Sequence, residues 1–170
     1  AKLFEGLGML GPLSIVRVNL VELYICTGIL RKALALAERT IAQAREVQHP
    51  HGIALGLTYR ASVLLQLRRY REARQNAGEA KTIMEELGQR EDQVHALATL
   101  VQLDLIEEQA QQAQEHLLQL QPLLTKHDSE GITPMARAWQ AQCFAIQKQR
   151  SKALVTLTEG SQQDRRWPYI

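Results

Sequence analysis

Gly6, Gly8 and Gly11 spell GLGMLG, the bare spacing of a dinucleotide-binding glycine loop. Such a loop works only between a strand and a helix, where the backbone can approach a pyrophosphate at the helix N-terminus. No strand and no βαβ pattern flank these glycines, so they read as a helix end and a turn between repeats. His49 and His51 flank Pro50. Two imidazoles can begin a zinc site, but a structural zinc takes about four ligands. No Cys or His elsewhere is placed to complete the set, so the pair reads as an exposed surface turn. His95, His116 and His127 are spread through one stretch of chain, and none has a Ser or Cys at a nucleophile spacing. Cys26 and Cys143 each fall on a helix, where a thiol is ordinarily packed or lining a surface. No catalytic set, no cofactor and no metal site is expected.

The densest charge lies in RRYREAR, with Arg68, Arg69, Arg71 and Arg74, and with Arg60 one helix earlier. An anion patch is one reading. A solvated face with Glu72 close by is the other, and it is favoured by the overall balance of 20 basic against 18 acidic residues, net +2. That balance is not the footprint of a nucleic-acid binder. Two distant cysteines do not make the framework of a small secreted domain, so both are expected as reduced thiols in a cytoplasmic protein. No apolar run is long enough to span a bilayer, and no signal peptide is present. The chain begins without Met, which suggests an excised fragment or a processed chain.

These residues are carried by elements with a repeat. Ala33, Ala73, Ala113 and Ala153 stand 40 residues apart. Twelve residues before them lie Val21, Ala61, Val101 and Ala141, all small. The column at Tyr24 continues as Leu64, Asp104 and Phe144, the column at Ala37 as Ala77, Leu117 and Leu157, and the column at Leu30 as Tyr70, Ala110 and Arg150. Within each unit the apolar residues recur with helical period, as at Leu20, Leu23, Tyr24 and Thr27, and at Leu34, Ala37, Ile41 and Ala44. Short breaks fall at Thr27-Gly28, Arg68-Arg69, Glu107-Glu108 and Lys148-Gln149, and Gly28 suits the left-handed position after a helix end. The longer breaks are QHPHG, LGQRED and KHDSEG, with Pro12, Pro50 and Pro134 where new helices begin.

The pattern predicts an all-α chain with helices near 13–27, 30–48, 52–67, 70–88, 92–107, 110–126, 133–147 and 150–163. The repeats then span 13–50, 51–90, 91–130 and 131–163. LFEGLG at 3–8 matches IMEELG at 83–88, so residues 1–8 read as the end of a preceding repeat helix. Residues 164–170, with Trp167, Tyr169 and Ile170, read as a C-terminal cap or tail. A small residue at the alanine column lets two helices of a hairpin approach closely.

This spacing resembles the tetratricopeptide repeat, whose signature is large–x2–Leu–Gly–x2–Tyr followed by Ala–x3–Phe. The first unit has Leu20-Val21-x2-Tyr24 and Ala33-x3-Ala37; the second has Arg60-Ala61-x2-Leu64 and Ala73-x3-Ala77. The third has Leu100-Val101-x2-Asp104 and Ala113-x3-Leu117; the fourth has Gln140-Ala141-x2-Phe144 and Ala153-x3-Leu157. Val or Ala stands where the family has Gly. The period of 40 is similar to that of the longer-helix branch, found in large bacterial signalling proteins, including regulators with a nucleotide-switch ATPase, and in eukaryotic scaffolds. Asp104 and Arg150 depart from the family's apolar columns.

The resemblance implies a right-handed superhelical solenoid of helix-turn-helix repeats, with first helices lining a groove for a peptide, a helix or another domain. Carried over by position, the groove residues are Asn19, Tyr59, Thr99 and Trp139, then Glu22, Ser62, Gln102 and Gln142, then Cys26, Gln66, Ile106 and Ile146. The Lys, Arg and Asn set by which some members hold a C-terminal carboxylate is absent apart from Asn19. Neutral amides and hydroxyls suit a peptide backbone, with Tyr59 and Trp139 as anchors. The expected function is a protein- or peptide-binding scaffold of a larger bacterial regulatory protein, with no membrane or nucleic-acid partner and no catalysis. Homo-oligomers through exposed end repeats fit the same fold. The alternative is an effector sensor whose small-molecule pocket lies near Tyr59, Thr99 and Trp139, signalling to an attached ATPase, kinase or DNA-binding domain.

Overall fold

A left-handed residue recurs along the backbone at Gly28 (φ 73°), Gln48 (50°), Arg68 (59°), Gly88 (70°), Glu108 (56°) and Lys148 (61°). The computed structural model describes residues 10–124 and 132–164, with backbone alone at 10–15, 18, 91 and 159–164. Each of these left-handed residues closes a helix in one way. At Gly28 its N–H donates to Ile25 O (3.0 Å), and the N–H of Ile29 reaches back to Tyr24 O (2.8 Å). At Arg68 the same two bonds run to Leu65 and Leu64 (3.0 and 2.9 Å). At Glu108 they run to Leu105 and Asp104 (3.2 and 2.7 Å), and at Lys148 to Ala145 and Phe144 (3.0 and 2.8 Å). This is the Schellman closure, which satisfies carbonyls that a helix end leaves open.

The residue that donates the second bond also starts the next helix. Ile29, Arg69 and Gln109 are N-caps. Their carbonyls accept from Ala33, Ala73 and Ala113 at 3.1, 3.0 and 3.0 Å. Three residues therefore suffice to turn one helix into the next. The alanine column stands on the first turn of each second helix because the turn sets its register.

Eight α-helices result among the described residues: α1 Leu10–Cys26, α2 Leu30–Glu46, α3 Pro50–Gln66, α4 Tyr70–Glu86, α5 Val94–Ile106, α6 Ala110–Leu120, α7 Ile132–Ile146 and α8 Arg150–Asp164. Short 3-10 turns at Glu91–Gln93 and Gln121–Leu123 flank α5 and α6. The sixth helix stops short of the expected residue 126 because Pro122 has no N–H to continue the ladder. At α7 the helix begins at Ile132, one residue ahead of the expected start at 133. Pro134 sits in its first turn, where no bond is lost. Residues 1–8, His127 and residues 165–170, read above as a helix tail, a loop histidine and a cap, lie outside the described residues.

The chain divides into two compact units, Ala1–Thr99 and Leu100–Ile170, with the division inside α5. In the first unit α1 pairs with α2 and α3 with α4, and α2 also packs on α3. Val21, Ala33, Ala37 and Val63 form one buried cluster; Ile41, Leu57, Ala80 and Ala96 form another. Gly56 on α3 permits this approach. A Cβ there would stand 2.7 Å from Ile41 Cγ1 and 3.3 Å from the Ile41 backbone nitrogen on α2. In the second unit α6 packs on α7 and α7 on α8. Second helices bury one stripe, such as Ala33, Ala37, Ile41 and Ala44 on α2 and Ala73, Ala77, Ala80 and Met84 on α4.

Candidate functional site

Position 104 belongs to an apolar column, yet Asp104 is there, with none of its surface exposed. Its Oδ2 lies 2.6 Å from Nδ1 of His116 on α6. A charged group this deep must be hydrogen-bonded to persist, and α6 supplies the imidazole. His116 thus has a structural partner that spacing along the chain did not show. The signal was present as a carboxylate in a column of Tyr24, Leu64 and Phe144, which demands a donor from the adjoining helix. Cys143 on α7 is also fully buried. Burial pushes its thiol pKa up, and the negative charge of Asp104 pushes the same way, against a backbone hydrogen bond that lowers it. A protonated, enclosed thiol is a packing group and not a nucleophile. Cys26 is exposed, and both thiols are free.

The histidine pair at 49 and 51 does not lie in a loop as expected. His49 is the N-cap of α3, and its Nδ1 accepts the Gly52 N–H at 3.0 Å. Pro50 opens the helix, so His51 falls in its first turn, where Nε2 meets Asp92 Oδ2 at 2.7 Å. A Cβ at Gly52 would come within 2.7 Å of His49 Nδ1, which explains the glycine in QHPHG. Both imidazoles are committed to structure. Among the described residues no group of three or more His, Cys, Asp or Glu is placed to hold a metal ion.

The arginine cluster is largely paired. Arg69 donates twice to Glu72, at 2.7 Å each. That hydrogen bond holds the Glu72 carboxyl below its usual range and raises Arg69. Arg60 donates to Asn76 Oδ1 at 2.9 Å and meets Glu38 at 3.4 Å. The solvated-face reading therefore describes these groups better than an anion patch.

The predicted groove residues separate into two groups. Tyr59, Ser62 and Thr99 are used in packing between α3 and α5. Tyr59 stacks on His95 with ring centroids 5.8 Å apart, Ser62 Oγ meets Thr99 Oγ1 at 3.4 Å, and Thr99 is only 3% exposed. The face of one first helix is taken up by the next, which the column assignment had left open to a ligand. Asn19, Glu22, Gln66 and Gln142 are exposed, and Gln102 and Trp139 are half-buried.

Beside Trp139 stand Gln142 and Ile146, which the columns predicted, and Met135, which they missed. Met135, exposed, stands one turn before it on α7, Gln142 follows one turn later, and Ile146 ends the row. Spacings of four, three and four place these residues on one stripe of the helix. At its foot Ile146 and Gln147 border an open hollow of about 700 Å³, with Glu108, Gln109, Gln112 and Glu115 also lining it. Beside it the amides of Gln114 and Gln147 exchange hydrogen bonds of 3.4 and 3.2 Å. A stripe with Met135, Trp139 and Ile146 leading into a hollow of amides and carboxylates can seat apolar side chains at one end and backbone N–H groups at the other. No helix among the described residues is long and apolar enough to cross a membrane.

Among the described residues the structure is thus all-helical, with helices closed by repeated Schellman turns. It is similar to the crystal structure of BtubC (BKLC) from P. vanneervenii, with a TM-score of 0.76 and 16% identity. The likeness covers 93% of this chain and 66% of that one, and at this identity it speaks for the fold alone. No family model and no curated protein matches the sequence.

Proposed function

We propose that the chain is a tetratricopeptide-like repeat module that holds a peptide or a partner protein, as part of a larger cytoplasmic regulatory protein. The observation that carries this reading is the α7 stripe of Met135, Trp139, Gln142 and Ile146 opening onto the hollow of Gln and Glu side chains. The 40-residue backbone period of left-handed turns at residues 28, 68, 108 and 148 supports the repeat assignment. Large apolar side chains beside a hollow lined by amides and by Glu108 and Glu115 favour an extended or helical peptide. With Thr99 buried and Tyr59 stacked on His95, two of the three positions proposed for an effector pocket are filled by protein.

Selection from a displayed peptide library tests the proposal. The 170-residue chain should enrich a sequence family whose binding Trp139→Ala weakens at least about tenfold, equivalent to about 1.4 kcal/mol. Gln142→Ala should weaken it less, and helical circular dichroism should be unchanged in both. Enrichment that is indifferent to Met135, Trp139 and Gln142 would remove this surface from consideration.

A further inference from the structure

Two columns carry a carboxylate in the third repeat alone. The left-handed turn position holds Gly28, Arg68 and Lys148 in the other repeats, but Glu108 here. The column of Glu115 holds Ala35, Gln75 and Val155 elsewhere. The repeat itself therefore needs no acid at either place. Both glutamates are exposed, and both line the hollow between α6 and α7 into which the Trp139 stripe leads. Neither forms an ion pair among the described residues. No cation is among the lining residues either, since Lys148 and Arg150, next along the chain, stand outside its wall.

The rest of the lining suits a long cationic side chain. Ile146 offers an apolar surface to a methylene stem, and the head can then reach the carboxylates. Gln109, Gln112 and Gln147 supply amide oxygens for the N–H groups left over. Ile146 and Trp139 are separated on α7 by about 10 Å at the helical rise, so one short peptide reaches both. We infer that the peptide held along α7 is basic, and that it seats an Arg or Lys side chain in the hollow against Glu108 and Glu115. This rests on the peptide-binding reading above and adds the chemistry of the occupant. Charge complementarity selects it, because an acidic or phosphorylated segment would bring like charges together.

Parallel selections from one displayed peptide library test this, using the 170-residue chain, Glu108→Gln/Glu115→Gln and Glu108→Lys/Glu115→Lys. The wild type should enrich peptides with Lys or Arg near a large apolar residue. The glutamine variant should keep the apolar residue and lose the basic one, and the lysine variant should put Asp or Glu in its place. A synthetic peptide of the wild-type consensus, followed by fluorescence anisotropy, should bind the glutamine variant at least about tenfold more weakly. Raising salt from roughly 50 to 500 mM should weaken binding to the wild type far more than to that variant. Both side chains are exposed, and Gln48 already holds a left-handed conformation, so circular dichroism should not change. Peptides that depend on Trp139 but carry no basic residue, or that are indifferent to both glutamates, overturn this inference and leave the peptide-binding reading standing. Basic peptides that depend on the glutamates but not on Trp139 uphold the cation-binding hollow and remove the stripe. No enrichment by the wild type overturns both.

Discussion

His116 reaches from α6 to within 2.6 Å of the Asp104 carboxylate on α5, at a position where the other repeats carry Tyr24, Leu64 and Phe144. The bond offsets the cost of a fully buried acid. Removing the imidazole takes this hydrogen bond from a fully buried acid, so His116→Ala should lower stability by roughly 1–3 kcal/mol in urea unfolding. Asp104→Leu with His116→Leu restores an apolar column and should recover most of the loss, since an apolar pair often replaces a buried ionic one without penalty. If the double variant is no better than His116→Ala, the pair is not what holds this region.

Gly56 and Gly78 both lie inside helices, with opposite surroundings. A Cβ at 56 meets Ile41 at 2.7 Å, and one at 78 meets nothing within 4 Å. Gly56→Ala should therefore cost roughly 1–3 kcal/mol by overpacking. Gly78→Ala should stabilise by about 0.5–1 kcal/mol, through helix propensity alone. Chemical unfolding of the two variants side by side decides this, and equal signs would contradict the α2–α3 contact.

Arg68, Glu108 and Lys148 hold left-handed conformations that strain an L side chain. Glycine at any one of them should raise stability by about 0.5–1 kcal/mol, the relief being partly offset by unfolded-state entropy. Gly28→Ala should do the reverse by about 1 kcal/mol. Nothing lies within 4 Å of a Cβ at that position, so the effect would be purely of backbone origin. Thermal melts of the four variants give the comparison.

Thiol chemistry should distinguish Cys26 from Cys143. A disulfide reagent should titrate the exposed Cys26 in the native protein and reach the buried Cys143 only on unfolding. Burial raises the folded thiol pKa of Cys143 above its unfolded value of about 8.5. Its contribution is then full below that pH and is lost as pH rises past it, because the unfolded chain gives up the proton first. Unfolding midpoints from pH 7 to 10 should fall more steeply for the wild type than for Cys143→Ala.

Read from the sequence alone, the 40-residue period located the helix bounds among the described residues to within three positions, except that α6 ends at Leu120 and not 126, along with the turns at 28, 68, 108 and 148. These are local matters: helical spacing of apolar residues, and a turn closed by bonds that span six residues at most. The burial of Ala33, Ala73 and Ala113 followed from the same register. Tertiary structure alone decided which equivalent positions are covered and by what. Tyr59 and Trp139 share a column, yet Tyr59 is stacked on His95, while Trp139 lies in a stripe between exposed Met135 and Gln142. Leu23 and Val63 share another, yet Leu23 is 55% exposed while Val63 is fully buried against Ala33 and Ala37. Periodicity assigns the same environment to every repeat, but burial depends on what is packed alongside, so the identity of the surfaces was set by contacts between helices distant in the chain.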